Sequence, residues 1–408
     1  MRRKTLLTLV TVLGLVVAPA VASAGPAGGW EGTWAASPQA AGEVFGPNWS
    51  VGGFADQTVR QIVRTSQGGP AVRIRLSNQY GSSPLQVTGA TVARTGEGAS
   101  VRPGSVRQVT FGHARSTVIP AGREIASDAV GLVLRPLEKL SVTLYFAKPT
   151  GPVTYHGDAE RTSYRAAGDH RSDTSGAAFT ETSTSWYLLS ELEVVDLSPH
   201  RDVVAAFGDS ITDGALGGVD IDARYPDALA ERLNGRRGVL NTGIGGNRVL
   251  NDSACFGARA IDRFKADVLS QPHLRTVIIL EGINDIGSSE LEFDCFKPNP
   301  RVTAAELIAG HRELIKQARS AGVRAVGATL LPYKGAMYYT ERGESVRDEL
   351  NTWIRTSGEY DAVVDFDRAM ADPADADALN PAYDSGDKLH PNAAGYRAMA
   401  AAVDLRSL

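Results

Sequence analysis

Two polar segments in the second half of the chain carry the side-chain types needed for acyl transfer. Ser210 follows a short apolar run, 203–207, and His390 follows Asp387 by three residues. A serine hydroxyl is a weak nucleophile unless an imidazole accepts its proton, and a carboxylate must hold the other imidazole nitrogen. The sequence therefore predicts Ser210 as nucleophile, His390 as base and Asp387 as its orienting carboxylate. Taken alone, the Gly-Asp-Ser triplet is equally typical of a strand-to-helix turn whose serine caps the helix.

Two further segments offer hydrogen-bond donors for the oxyanion that such an attack creates. The glycine-rich run around Gly246 leaves backbone N–H groups unobstructed, and Asn284 carries a side-chain amide. We expect the N–H groups of Ser210 and Gly246 and the amide of Asn284 to form the oxyanion hole. Asn247 and Arg248 either contact the substrate or stabilise the local turn. No step of this chemistry calls for a metal or another cofactor.

These segments must be positioned by the elements that precede them. After residue 199 the sequence alternates between short apolar runs and amphipathic stretches, which is typical of a parallel sheet with helices on both faces. The carboxyl ends of parallel strands share one edge, so polar segments that follow different strands meet there. His311 lies on the apolar stripe of one helix and is expected in the core. The predicted strands are 203–207, 239–242, 276–281, 323–330 and 362–366. The predicted helices are 224–234, 257–269, 303–320, 344–356 and 392–403.

The polar segments resemble, in order, the four sequence blocks of the SGNH, or GDSL, hydrolase superfamily. The matching segments are Gly208-Asp209-Ser210, Gly246 in its Gly-Ile-Gly-Gly-Asn setting, Gly282-Ile283-Asn284-Asp285 and Asp387-Lys388-Leu389-His390. The resemblance covers about residues 200–405. It implies an α/β fold with a three-layer α/β/α, flavodoxin-like architecture. It also implies the roles already assigned to the serine, the glycine, the asparagine, the histidine and the aspartate.

The first half of the chain has a different pattern. In residues 30–196, short runs such as Val72, Ile74 and Leu76 alternate with polar residues and are separated by turn residues. This pattern predicts an all-β sandwich or jelly roll. Four of the five tryptophans lie here, and they either form a sugar-binding face or, as we favour, fill the core. We expect a β-sandwich domain over residues 25–199 and a catalytic domain over 200–408.

The opening of this half, residues 32–38, looks like that of secreted bacterial acylhydrolases and arylesterases with a β-rich module before the catalytic domain. The resemblance implies a secreted serine esterase acting on short-chain acyl or acetyl esters, including esters on polysaccharides. A lipase or phospholipase acting on longer chains and an acyltransferase are the alternatives, and a binding protein led by the β module is a third class. No long apolar lid is evident, which disfavours large lipids.

The first 24 residues are typical of a secretory signal peptide. A basic start precedes an apolar run too short to span a bilayer, and small residues follow it. We expect a secreted protein with no membrane segment once residues 1–24 are removed. Cysteines of exported proteins usually pair, so Cys255 and Cys295 are expected to form a disulfide, with free thiols or a bond between chains as alternatives. It would tie the loop after Gly246 to the loop after Asn284.

Composition excludes several classes of protein. With 43% hydrophobic and 22% charged residues the chain is globular rather than disordered. Its net charge of −4 comes without a basic stripe, so nucleic acid is not an expected partner. The acidic stretch 372–384 lacks the spacing of a calcium loop and is interpreted as solvated. The expected partner is an ester substrate, either a small molecule or an acylated polysaccharide.

Overall fold

The computed structural model describes residues 29–197 and 202–408. The predicted signal peptide, 1–24, and the expected domain boundary near residue 199 both lie outside the described residues. Residues 29–197 contain strands and no helix, whereas residues 202–408 alternate between strands and helices. The change of pattern in the sequence is therefore also a change of architecture.

Residues 29–197 form two antiparallel sheets and two short strand pairs. The strands are β1 (Gly29–Ala35), β2 (Gln57–Arg64), β3 (Val72–Ser77), β4 (Leu85–Val87), β5 (Gly89–Arg94), β6 (Arg107–Val109), β7 (Thr117–Ile119), β8 (Glu124–Ala126), β9 (Lys139–Phe146), β10 (Tyr155–His156), β11 (Ser163–Ala167), β12 (Glu181–Ser183), β13 (Trp186–Tyr187) and β14 (Leu189–Asp196). The sheet orders are β1-β14-β3-β8 and β12-β11-β2-β9-β5-β6, and β10 pairs with β13 and β4 with β7. The region is β-rich as predicted, while the jelly-roll arrangement stays a prediction.

The alternating residues of this region face one hydrophobic core. Val72, Ile74 and Leu76 of β3 and Val142 and Leu144 of β9 are all buried in it. Side chains two residues apart share one face of a strand, so the period-two pattern placed them together. The predicted strands are therefore present with their apolar faces inward.

The tryptophans of this region mostly fill its core. Trp34, Trp49 and Trp186 are at most 9% exposed and belong to the same buried cluster. Trp30 is half-buried beneath the guanidinium of Arg73, 4.5 Å from its ring centre. A sugar-binding face built from these four rings, the first of the two interpretations, is therefore wrong, because three of them cannot reach a ligand.

Residues 202–408 contain a parallel sheet flanked by helices. The strands are β15 (Val203–Gly208), β16 (Gly238–Gly243), β17 (Leu274–Leu280), β18 (Arg324–Ala328), β19 (Ala362–Val364) and the hairpin β20 (Ala371–Asp372) and β21 (Asp375–Leu379). The helices are α1 (Ser210–Asp213), α2 (Tyr225–Leu233), α3 (Ala260–Phe264), α4 (Ile283–Gly287), α5 (Ala304–Ser320), α6 (Glu341–Thr356), α7 (Phe366–Met370) and α8 (Ala393–Ala402). None of the helices in the described ranges is both long and apolar enough to cross a membrane.

The order of the parallel strands is β16-β15-β17-β18-β19. Counted along the chain this is 2-1-3-4-5, the order of flavodoxin-like folds. Every residue of β15 is buried, as expected for a strand covered on both faces. On the helical side α2 packs against α8, and α5 packs against α3 and α6. The α/β architecture predicted for the second half is therefore present.

Several element boundaries differ from the prediction for local reasons. Helix α6 begins at Glu341 rather than 344 because the Thr340 side chain caps it, accepting from the N–H of Gly343. Phe366, predicted in a strand, begins α7, which Asp365 caps. The predicted helix 257–269 is α3 continued by a π-helical turn, Lys265–Leu269. The short helices α1 and α4 were not predicted, because five residues or fewer show no helical period.

The two regions are in direct contact along one edge of the parallel sheet. Strand β1 packs against the edge strand β16. The N–H of Val239 donates to Ser66 Oγ at 2.9 Å, and Ser37 Oγ donates to the carbonyl of Thr242 at 3.1 Å. The β-rich region thus covers polar groups of a sheet edge that would otherwise be open.

Candidate active site

Ser210 lies at the carboxyl end of the central strand. Strand β15 ends at Gly208, and Ser210 is the first residue of helix α1. The residue that caps α1 is Asp209, whose Oδ1 accepts from the N–H of Ile211 at 2.9 Å. The interpretation of the serine as a helix cap is therefore wrong. Because Asp209 has that function, the hydroxyl of Ser210 is free for another contact.

That contact is with His390. The Ser210 Oγ lies 2.8 Å from His390 Nε2, and His390 Nδ1 lies 2.6 Å from Asp387 Oδ2. The other carboxylate oxygen of Asp387 accepts the N–H groups of Leu389 and His390 at 3.0 and 2.8 Å. A proton on Nδ1 is thus held by the carboxylate, and Nε2 is left to accept the hydroxyl proton.

The environment of Asp387 keeps it ionised. Burial acts to raise its pKa, but hydrogen bonds from the ring and N–H of His390 and from the N–H of Leu389 outweigh burial. The pKa of Asp387 lies well below its usual range as a result. A carboxylate that stays charged can stabilise the imidazolium formed when His390 takes a proton.

The expected oxyanion donors line the same cavity as this hydroxyl and imidazole. Gly246 has φ +73°, and a Cβ there would lie 2.4 Å from the ring of Phe256, so only glycine fits. Within residues 29–197 and 202–408 no acceptor engages the N–H of Gly246. Asn284 Nδ2 donates to the carbonyl of Asn247 at 3.0 Å, which orients its amide. The N–H of Ser210, in the first turn of α1, has no partner within its helix.

Asn247 and Arg248 are not part of the cavity wall. The Asn247 amide donates to the carbonyls of Phe256 and Ala258 at 3.0 and 2.9 Å. The Arg248 guanidinium is buried and donates to the carbonyl of Phe296 at 3.0 Å and to two further backbone carbonyls. These side chains form hydrogen bonds with the backbone of neighbouring loops. Of the two interpretations, stabilisation of the local structure is therefore favoured over substrate binding.

A buried arginine that sequence reasoning missed connects the strand ends below the site. Arg263 of α3 has a side chain only 2% exposed. Its guanidinium donates to the carbonyl of Gly208 at 2.8 Å and to Asn247 Oδ1 at 2.8 Å. It pairs with Asp267 and Glu281 at 3.1 and 3.4 Å. One side chain thus joins the backbone that carries Ser210 to the loop that carries Gly246, and no motif marks it.

Several buried carboxylates lie below the candidate site. Burial raises the pKa of Asp209 to about 7 and that of Asp285 to about 6, and it also raises the pKa of Glu281. Asp285 accepts the N–H groups of Val249 and Leu250 at 2.7 and 3.0 Å. The fourth residue of the Gly-Ile-Asn-Asp segment therefore holds the loop that follows the oxyanion glycine.

His311 is a core histidine, as expected. It is fully buried, with Nδ1 2.6 Å from the hydroxyl of Tyr360 and Nε2 3.2 Å from the carbonyl of Glu281. Burial lowers the pKa of His311 to about 4. It is therefore neutral in the folded protein and takes no part in the site.

Cys255 and Cys295 form a disulfide, with their Cα atoms 5.2 Å apart. The Ser253 hydroxyl donates to the carbonyl of Cys295 beside it. The bond joins the loops after the oxyanion glycine and after Asn284. The neighbouring rings of Phe256 and Phe296 have centres 4.9 Å apart.

The side chains of Ser210, Asp387 and His390 line a cavity of about 620 Å³. The walls of the cavity are largely apolar. This was not predicted, because the phenylalanines that line the cavity are scattered along the sequence and form no continuous apolar segment. Two of its lining residues, Phe45 and Asp158, come from the β-rich region, which no sequence pattern indicated. The apolar and aromatic lining residues include Phe45, Phe256, Leu291, Phe293, Phe296, Met337, Tyr338 and Leu389.

The described residues include no group of three or more histidine, cysteine, aspartate or glutamate side chains placed to hold a metal ion. Two members of the acidic stretch 372–384 pair with lysines instead. Asp375 lies 2.7 Å from Lys334, and Asp384 lies 2.6 Å from Lys388. The expectation of a solvated loop is only partly met, because Asp372 and Asp375 lie in the hairpin β20–β21 and the side chain of Asp384 is only 4% exposed.

Comparison with solved structures finds similar chains of low sequence identity. The native aryl esterase of M. smegmatis is 17% identical, with 50% of this chain and 96% of that one covered and a TM-score of 0.39. A carbohydrate acetylesterase from Sinorhizobium meliloti is 18% identical, with 49% and 95% covered and a TM-score of 0.38. A GDSL-like lipase from Bacteroides thetaiotaomicron is 22% identical, with 49% and 84% covered and a TM-score of 0.36.

Comparison with protein families gives a direct match, whereas no curated protein matches the chain. Residues 206–398 match the model of the GDSL-like lipase/acylhydrolase family. The matched range includes all four segments that carry the candidate site. Residues 206–398 of the chain therefore form a GDSL-like lipase/acylhydrolase domain.

Proposed function

We propose that the protein hydrolyses short-chain carboxylic esters through an acyl-enzyme on Ser210. The observation that carries the proposal is the unbroken hydrogen-bonded series from Ser210 Oγ to His390 and from His390 to Asp387, at 2.8 and 2.6 Å. Serine hydrolases of unrelated folds use the same spatial arrangement, in which a serine bonds to a histidine and the histidine to a carboxylate. The proposal also takes residues 25–199 as a β-sandwich domain, 200–408 as the catalytic domain, and 1–24 as the signal of a secreted protein.

In the proposed reaction, Ser210 Oγ attacks the ester carbonyl carbon while His390 Nε2 takes the hydroxyl proton. The N–H groups of Ser210 and Gly246 and the amide of Asn284 stabilise the oxyanion of the tetrahedral intermediate. The intermediate collapses to the acyl-enzyme as the alcohol leaves with the proton from His390. Water, deprotonated by the same imidazole, then attacks the acyl carbonyl, and the second tetrahedral intermediate releases the acid as the C–Oγ bond breaks and His390 returns the proton to Ser210 Oγ.

The volume and the apolar walls of the cavity bear on the size of the ester that it can bind. Its volume of about 620 Å³ is within the range of ordinary ligand pockets and exceeds what an acetyl group fills. An apolar acyl or alcohol group of moderate size can therefore pack against the aromatic wall, which is the observation that favours the lipase alternative. We place the preference at short chains and treat longer ones as the competing outcome.

The test is hydrolysis of nitrophenyl esters from acetyl to palmitoyl by the purified protein and by S210A, with S320A as control. Ser320 is exposed at the end of α5, far in sequence from the site. We expect short esters to be cleaved fastest, S320A to match wild type, and S210A to lose at least about 10³-fold in kcat. An organophosphate should label Ser210 in wild type, as read by mass spectrometry.

Each other outcome has a defined meaning. Undiminished activity in S210A would refute the serine mechanism. A maximum at long chains would replace the short-chain esterase with a lipase. Ester products formed from an added alcohol in preference to free acid would identify an acyltransferase.

A further inference from the structure

The β-rich region contributes directly to the wall of the catalytic cavity. Of the residues that line the cavity, Phe45 and Asp158 belong to residues 29–197, and the others belong to residues 202–408. An accessory module that only binds a ligand elsewhere would have no reason to place side chains there. Phe45 and Asp158 are therefore positioned to contact a substrate bound in this cavity.

Phe45 is fixed by the backbone of both regions. A Cβ on Gly157 would lie 2.2 Å from its ring, and a Cβ on Gly245 would lie 2.7 Å from it. Its ring centre is 5.8 Å from that of Phe256, in an edge-on arrangement. Gly245 directly precedes the oxyanion glycine, so an aromatic face of the β-rich region lies next to the reacting centre.

The backbone on either side of Asp158 is tied to the catalytic region. His156 Nε2 lies 2.9 Å from Asp213 Oδ1, and both side chains are only 3% exposed. On the other side, Glu160 Oε1 accepts the N–H of Leu216 at 2.9 Å. The position of Asp158 at the cavity is therefore set by contacts with residues that immediately follow the nucleophile.

The carboxylate of Asp158 itself is unpartnered. No hydrogen-bond donor or cation in the described ranges lies within bonding distance of it, although its residue is only partly exposed. Burial raises the pKa of Asp158 to about 7; the charges of Asp213 and Glu160 add to this effect, and His156 and Arg224 oppose it. A half-buried carboxylate in an apolar cavity has lost hydration without gaining a partner.

We propose that Asp158 is a substrate-binding residue that accepts a hydrogen bond from a hydroxyl group of the ester, beside the aromatic face of Phe45. The inference rests on the proposed esterase function and names its substrate class, esters of polyols or sugars. A hydroxyl fits because it can donate to the ionised carboxylate, and this hydrogen bond is stronger than the one that it can accept from the neutral acid. The apolar face of a sugar or polyol can meanwhile pack on the phenylalanine.

The experiment compares two esters with the same acyl group, 2,3-dihydroxypropyl butyrate and propyl butyrate. The measured quantity is kcat/KM for the dihydroxypropyl ester divided by kcat/KM for the propyl ester. Because the acyl group is the same, changes in the acyl-transfer chemistry affect both values and cancel in this ratio. A hydrogen bond to a charged group corresponds to about 10- to 100-fold. We expect D158A to lower the ratio at least about 10-fold and D158N, which keeps one acceptor oxygen, to lower it less. The control D169N alters an exposed aspartate of the same region and should leave the ratio unchanged.

Two further readouts separate binding from a structural role. In wild type the ratio should rise with pH through about 7 as Asp158 ionises, and in D158A it should be flat. Removing an unpaired, partly buried carboxylate should not lower the thermal midpoint of the protein. A lowered midpoint with equal loss of both esters would overturn the proposal, as would an unchanged ratio in D158A. Failure of wild type to cleave either ester, or any nitrophenyl ester, would instead refute the esterase function on which it rests.

Discussion

Replacement of Arg263 by lysine tests whether one buried guanidinium positions the nucleophile and the oxyanion loop together. Arg263 donates to the carbonyl of Gly208 and to Asn247 Oδ1, both at 2.8 Å, and pairs with Asp267 and Glu281. A planar guanidinium offers five donors in a fork, whereas an ammonium offers three without that geometry. R263K keeps the charge and gives up about half of these hydrogen bonds.

The expected cost follows from the burial of the site. Each hydrogen bond to a charged donor contributes about 1.5–3 kcal/mol, and breaking a buried ion pair costs about 3–5 kcal/mol. Since lysine retains the charge and some contacts, we expect a loss of about 4 kcal/mol in the free energy of unfolding. For a unit the size of residues 202–408, this corresponds to a fall of roughly 10 °C in Tm. A displacement of about 1 Å at the strand ends should lower kcat by up to about 100-fold.

The assay is thermal denaturation by circular dichroism together with kcat for a nitrophenyl ester. The control is R312K, because Arg312 makes a two-point pair with Glu359 but is 55% exposed. Its Tm should stay within about 2 °C of wild type, since exposed pairs contribute little. A Tm for R263K as close to wild type as that of R312K, with kcat within about twofold, would refute the reasoning.

Two further predictions concern stability. C255S/C295S should lose about 4 kcal/mol of unfolding free energy, the chain-entropy value for a loop closed across 40 residues, and should raise KM more than it lowers kcat because the bond lies beside the phenylalanine wall. Equal denaturation midpoints with and without reductant would contradict this. His311 has a pKa of about 4 when folded and about 6.5 when unfolded, so the unfolded chain binds the extra proton and stability falls as pH falls between these values. Relative to H311Q, wild type should lose about 3 kcal/mol from pH 6.5 to 4 in denaturant titrations; parallel pH profiles would show that His311 does not cause the loss.

The candidate triad was predicted from residue types and their order along the chain. Ser210, Asp387 and His390 were predicted because nucleophile, base and carboxylate have distinct chemistry. Ser210 does follow a parallel strand, whereas α7 and the hairpin β20–β21 lie between β19 and Asp387, so the argument from strand ends holds only for the serine. Val72, Ile74 and Leu76 were placed in a core because period-two alternation follows from strand geometry itself. These are local properties of the chain, so the sequence carries them.

Local patterns were least informative where two functions compete for one position. Asp209 and Ser210 both have side chains that can cap helices, and in the folded chain Asp209 is the residue that caps α1. Asn247 and Arg248 follow Gly246 in the sequence, and in the structure their polar atoms donate to backbone carbonyls rather than facing the cavity. In each case the role of the side chain depends on which hydrogen-bond donor or acceptor lies within about 3 Å of it in the folded chain.

Sequence patterns were enough to predict the β-rich and α/β halves, the buried alternation of the strands and the five residues of the candidate site. Two features became apparent only in the folded chain: Phe45 and Asp158 line the candidate cavity, and Arg263 joins two strand ends below it. The physical reason is that periodicity and motifs describe neighbours along a strand, helix or turn. The position of a phenylalanine between two glycines of different regions depends on how the two regions pack against each other.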